Sequence, residues 1–137
     1  MKQFHRFYRE NFGTYTESDK PVFRTVNVHA HNGCNLACKG CNHNSSVLAP
    51  GSGILVNQLL DDLDNILPRI HIWSHISLLG GEPLLEPRCE EILTKIEDLV
   101  DCRIKMFSNA LLLHKNHDWI IEHMKRGTIL RLSMHVS

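Results

Sequence analysis

The sequence predicts an α/β fold on a parallel sheet, and three observations carry that reading. From Val22 onward, strand-like and helix-like patterns alternate, as βαβ units require. With 42% apolar and 22% charged residues, a chain of 137 residues is composed and sized for one globular domain with one core. No internal repeat or low-complexity tract breaks the alternation.

Each element has its own signal. Phe4, Phe7, Tyr8 and Phe12 recur at three- to four-residue spacing and predict a short amphipathic helix in an N-terminal extension, residues 1–22, that covers the bottom or an edge of the domain. The core domain is expected over residues 23–137. Its first strand, residues 24–31, alternates Val26, Val28 and Ala30 with Asn27, His29 and His31; in a barrel the apolar set faces the helices and the polar set the lumen. Val56, Leu59, Leu60, Leu63, Ile66 and Leu67 then recur at helical spacing until Pro68 stops them. A second strand, residues 72–79, runs into Gly80-Gly81-Glu82-Pro83. Pro87 suits the first turn of a helix whose apolar face is Ile92, Leu93, Ile96, Leu99 and Val100. The third strand, residues 103–107, ends at Ser108-Asn109. A third helix, near residues 118–126, carries Trp119, Ile120, Ile121 and Met124, has Lys125 and Arg126 at its negative dipole end, and stops at Gly127. Residues 129–136 form the fourth strand. Right-handed crossovers make successive strands neighbours in one curved sheet, with functional groups at their C-terminal ends.

Composition narrows the function classes. Fifteen basic and fifteen acidic residues balance, so no global field draws the chain to nucleic acid or an anionic membrane. The N-terminus lacks an apolar signal region, and no stretch approaches the roughly 20 apolar residues of a membrane span. Five cysteines are an odd number and three of them fall within eight positions, which suits metal or cluster ligation in a reducing, cytoplasmic compartment better than disulfides.

Those three, Cys34, Cys38 and Cys41, directly follow the first strand. Thiolates are soft, anionic ligands for iron, and three in a compact loop leave one iron of a cubane cluster open to a small molecule. A zinc site completed by His31 or His43 would use the same cysteines, since Cys3His sites are common. Zinc does not explain the adjacent glycines after the second strand. Such a turn offers close backbone carbonyls, and Glu82 offers one negative charge for an ammonium group; as an isolated residue Glu82 reads equally as a solvated loop carboxylate. Cys89 and Cys102 lie outside the motif and read as packing residues.

The Cys-x3-Cys-x2-Cys loop after one strand and Gly80-Gly81-Glu82-Pro83 after the next resemble the radical S-adenosylmethionine (SAM) superfamily, from Phe23 to the C-terminus. The resemblance implies an incomplete (β/α) barrel, four strands being visible where six are usual. It implies a [4Fe-4S] cluster on Cys34, Cys38 and Cys41, and SAM with its methionine ammonium on Gly80, Gly81, Glu82 and Pro83. Ser108, Asn109, Ser133 and His135 stand where related proteins bind the ribose and carboxylate of SAM. The implied chemistry is reductive cleavage of SAM to a 5′-deoxyadenosyl radical that abstracts hydrogen from a small-molecule or peptide substrate. An electron donor such as flavodoxin or ferredoxin would supply the electron. Gly40 replaces the aromatic residue that relatives often carry before the third cysteine, which removes stacking surface for adenine.

Four strands leave an open edge, so the chain is expected to be an N-terminal piece of a longer domain, a truncated copy, or a part that needs a partner. Alternatives to a substrate-oxidising enzyme are an activating enzyme that installs a glycyl radical on a protein, a zinc-stabilised binding module and an inactive scaffold.

Overall fold

The structure, a computed structural model, describes residues 20–48 and 53–133. The expected N-terminal helix lies outside the described residues. Four strands, β1 (Val22–His31), β2 (His71–Gly80), β3 (Arg103–Ser108) and β4 (Ile129–Leu132), form one parallel sheet in the order β1-β2-β3-β4. Helices α1 (Val56–Ile66), α2 (Cys89–Leu99) and α3 (Leu113–Arg126) make the crossovers. The result is a partial, unclosed (β/α) barrel, with β1 and β4 at its edges.

Period-two alternation sets the apolar side chains that β1, β2 and β3 bury. Val28 and Ala30 of β1, Ile76 and Leu78 of β2, and Ile104 and Met106 of β3 are buried, and Ile92, Leu93 and Ile96 of α2 are fully so. Each such side chain contributes about 1.5–3 kcal/mol by leaving water, which makes α2 against the two central strands the best-anchored part of the molecule. Cys89 and Cys102 belong to this packing, Cys89 inside the core and Cys102 against it. On the other side of β1, Asn27 is exposed and His29 and His31 are half-buried.

Three boundaries differ from the expected ones. Helix α2 starts at Cys89, after Pro87, because Glu86 folds back to accept the Arg88 N–H at 3.1 Å and holds that segment as a turn. Helix α3 starts at Leu113, a full turn before residue 118. Leu112 and Leu113 pack on the core, and Asn116 donates to the Leu112 carbonyl at 2.9 Å. The run His114 to His117 is polar because that turn faces solvent, which hid the helix from a search for apolar period. Third, β4 is described to Leu132, and residues 134–136 of the expected strand lie outside the described residues.

The inner face of α3 also differs. Met124 is exposed, whereas His123 is buried. The His123 Nδ1 lies 2.8 Å from Glu97 Oε1, which also accepts the Thr128 hydroxyl at 2.7 Å. A carboxylate only accepts, so Nδ1 carries the proton. A polar link thus joins α2 to α3 where an apolar contact was expected.

Candidate functional site

The two sequence motifs are sewn together by backbone. At the end of β2 the Gly81 N–H donates to the His31 carbonyl at 2.8 Å and the Glu82 N–H to the Gly33 carbonyl at 2.9 Å. The approach is so close that a Cβ on Gly80 would stand 2.1 Å from the His31 carbonyl oxygen, and one on Gly81 would stand 2.0 Å from that of Gly33. Only glycine fits, because the obstacles are backbone atoms. Pro83, buried, then opens a short 3-10 turn, Pro83–Leu85.

Glu82 is 1% exposed, so it is no solvated loop carboxylate. Its Oε1 accepts the Leu84 N–H at 3.2 Å and the Ser108 hydroxyl at 2.9 Å, and its Oε2 accepts the Asn109 N–H at 2.7 Å. Neutral donors from two chain segments therefore satisfy a buried charge and lock the end of β2 to the end of β3. Ser108 is buried, and its oxygen also accepts the Ala110 N–H at 3.1 Å. Asn109 braces a third segment: its amide donates to Asn35 Oδ1 at 2.7 Å and approaches the Cys34 sulfur at 3.8 Å, while its oxygen accepts the Leu111 N–H at 3.1 Å.

In the cysteine loop, the Leu36 N–H points at the Cys34 sulfur at 3.4 Å. Cys41 sits under a turn set by left-handed Asn44. The backbone N–H groups of Ser45, His43 and Asn44 face its sulfur and hold its thiol below the ordinary 9.0, outweighing the opposing effect of burial. Cys34, Cys38 and Cys41 are all half-buried and line one cavity of about 430 Å³ with Gly80, Gly81, Glu82, Pro83, Ser108, Asn109 and Ser133. The cavity opens at the C-terminal ends of the strands, where a parallel sheet places its ligands.

Among the described residues, no three His, Cys, Asp or Glu side chains stand close enough to hold a metal ion. Holding one would require the cysteine loop to draw in. The donor set fits an iron–sulfur cluster: soft thiols around a shared cavity, one of them predisposed to the anion. The zinc alternative finds less. The His43 ring packs edge-on against His29 with centroids 5.1 Å apart, and His31 Nδ1 faces Glu86 at 3.8 Å without a hydrogen-bond partner.

The fourth strand brings one expected residue to the site. His135 lies outside the described residues. Arg131 and Ser133 are both exposed, because β4 pairs only with β3 and nothing covers its far side among the described residues. Ser133 still reaches the cavity wall, and its N–H donates to the Ser108 carbonyl at 2.9 Å. Asn35 and Phe107 join the site without having been singled out. Asn35 carries no spacing signal of its own. Phe107 follows Lys105 at period two, opposite Ile104 and Met106, and that alternation would have placed it on the concave face.

No helix among the described residues is long and apolar enough to cross a membrane. No curated protein matches the chain. The family model for the radical SAM superfamily matches residues 28–137, a span that contains the cysteine loop, the Gly80-to-Pro83 turn and all the cavity residues between them. A match over that much of the chain, on a parallel sheet with both motifs facing one cavity, shows that the chain belongs to the radical SAM superfamily.

Proposed function

We propose that the chain holds a [4Fe-4S] cluster through Cys34, Cys38 and Cys41 and binds SAM against the Gly80-to-Pro83 turn, for hydrogen abstraction from a small-molecule or peptide substrate. The supporting observation is that the three cysteines and the turn line a single cavity. When bound, the cluster and SAM supply one-electron cleavage of a sulfonium carbon–sulfur bond and a carbon radical able to abstract hydrogen.

The protein's own part is ligation, placement and exclusion of water. The backbone N–H groups around Cys41 favour its thiolate before any metal arrives. The N–H groups of Gly81 and Glu82 are spent on β1 and its loop, and the Glu82 and Pro83 carbonyls accept the Leu85 and Glu86 N–H groups, so the turn offers a ligand the Gly81 carbonyl. A carboxylate has about four acceptor sites, and Glu82 uses three on neutral donors. One site and the whole negative charge remain for the methionine ammonium. Ser108 and Asn109 hold Glu82 in place and bring β3 to the cavity; Ser133 and His135 are assigned to the polar groups of SAM. Phe107, half-buried in the cavity wall, offers the adenine the ring that Gly40 lacks. The electron donor is proposed to be a flavodoxin or ferredoxin.

Anaerobic reconstitution with iron and sulfide tests the reading, with iron, acid-labile sulfide and zinc measured together. A [4Fe-4S] cluster is expected, lost in the Cys34→Ala, Cys38→Ala and Cys41→Ala variants and kept in Cys89→Ala and Cys102→Ala. Stoichiometric zinc without sulfide uptake would make the chain a zinc-stabilised module instead.

A further inference from the structure

The formal neutrality of the chain conceals a separation of charge. No residue of the four strands is Asp or Glu, whereas Arg24, Arg103, Lys105 and Arg131 are basic. The acidic side chains of the described residues all lie in helices and loops. Three of them pair there with outer cations: Glu91 with Arg88 at 2.6 Å, Asp64 with Lys95 at 2.8 Å and Glu122 with Lys125 at 2.7 Å. Lys105 and Arg131 make no ion pair among the described residues.

Register puts these unpaired cations together on the concave face. In β3, Ile104, Met106 and Ser108 are buried toward the helices, so Lys105 and Phe107 face the other way. Lys105 pairs with Ser77 of β2 and Ile129 of β4, and Phe107 pairs with Arg131. Lys105 and Arg131 are therefore diagonal neighbours on one face, within reach of long side chains. His75, two residues before Ser77, shares that face. Burial and then the charges of Lys105, Arg131 and Arg24 hold its pKa below the ordinary 6.5. Phe107, opposite Arg131 and two residues after Lys105, also lines the cysteine cavity, so the two cations border that cavity from below. Lys105 is half-buried, and a cation in that position with no counter-charge among the described residues would gain stability from a bound anion.

We infer that the substrate is a small anion, whose carboxylate or phosphate is held by Lys105 and Arg131 on the concave face below the cysteine cavity. The inference rests on the function proposed above, for which it names the substrate class.

The test titrates the purified protein, at low ionic strength, separately with inorganic phosphate and with succinate, read by calorimetry and by the ring-proton resonance of His75, assigned through His75→Gln. Saturable binding is expected of at least one probe, and the preferred one identifies the anionic group. Lys105→Gln and Arg131→Gln should each weaken it at least tenfold, Lys105→Arg should restore most of it, and Lys115→Gln and Lys125→Gln on α3 should leave it unchanged. Circular dichroism of each variant separates loss of the site from loss of the fold. In cluster-loaded protein the probe and SAM should bind together. Competition between them would assign the cations to the carboxylate of SAM and overturn the inference. So would binding of an RNA oligonucleotide with no response to either small anion. Anion binding without cluster or SAM uptake would sink the proposed function while leaving the cationic site standing; cluster and SAM uptake without anion binding would sink the inference alone.

Discussion

The Glu82 carboxylate accepts the Ser108 hydroxyl at 2.9 Å across 26 residues of sequence, and this bond ties the turn after β2 to the end of β3. With the Leu84 and Asn109 N–H groups it makes Glu82 a structural keystone as well as a charge at the cavity.

The Glu82→Gln variant should consequently lose stability even before any cofactor is considered. A glutamine accepts through one oxygen only, and its NH2 group would confront either the Asn109 N–H or the Leu84 N–H and Ser108 donors. A buried polar group left unsatisfied costs about 1–3 kcal/mol, which denaturant titration resolves. Among the described residues Glu86 accepts only the Arg88 N–H, through one oxygen that a glutamine still offers at a half-buried site, so Glu86→Gln should cost less. Equal midpoints for the two variants would show that the Glu82 bonds contribute nothing.

Two glycines in the same site should tolerate alanine very unequally. Gly40 has φ of +78° but open space around a would-be Cβ, so Gly40→Ala should cost about 1–2 kcal/mol of left-handed strain. Gly81→Ala places a methyl group 2.0 Å from the Gly33 carbonyl, and the two loops must part. A loss of about 4 kcal/mol or more is expected there, visible as a drop in thermal midpoint. Comparable midpoints would mean that the loops are not held in contact.

Thiol reactivity should sort the cysteines. Backbone donors lower the pKa of Cys41, whereas burial, with Glu82 and Glu86 behind it, pushes that of Cys89 up to about 12. Iodoacetamide should alkylate Cys41 at lower pH than it does a cysteine in an unfolded peptide and leave Cys89 intact until the fold opens. Peptide mass spectrometry checks both; equally rapid modification of Cys89 in the folded state would contradict the packing.

Acid should destabilise the protein in part through two histidines. Burial and then His43 hold His29 below the ordinary 6.5, and burial and then Lys105, Arg131 and Arg24 do the same for His75. The unfolded chain therefore takes up protons more readily than the folded one, and stability falls as pH drops through about 6.5 toward the lowered folded values. His75→Gln should flatten the slope of thermal midpoint against pH between about 7.5 and 5. An unchanged slope, or stability that rises on acidification, would assign the sign wrongly.

Much of the architecture was legible because local periods were unambiguous. Alternation in residues 24–31 and helical spacing from Val56 to Leu67 are one-dimensional consequences of which face is buried, and Pro68 and Gly127 mark the ends of α1 and α3 by backbone chemistry alone. The first turn of α3 was not legible, since its exposed side carries His114 to His117 and its anchoring leucines precede the expected start. The inward turn of His123 was equally hidden, because it depends on Glu97, which arrives from another helix.

By itself the sequence determined that three thiols follow one strand and a Gly-Gly-Glu-Pro turn the next, because ligand spacing and glycine's freedom are local properties. Only the tertiary structure decided that the turn's glycines face the carbonyls of His31 and Gly33, that Glu82 is bonded through Ser108 and Asn109, and that Asn35 and Phe107 belong to the site. The same holds for the separation of charge, invisible in a net charge of zero and produced by parallel register, which lays Lys105 and Arg131 side by side on one face while the acids stay on the helices and loops. These relationships join residues far apart in the chain, so they exist only once burial of the strands' apolar faces has fixed the register.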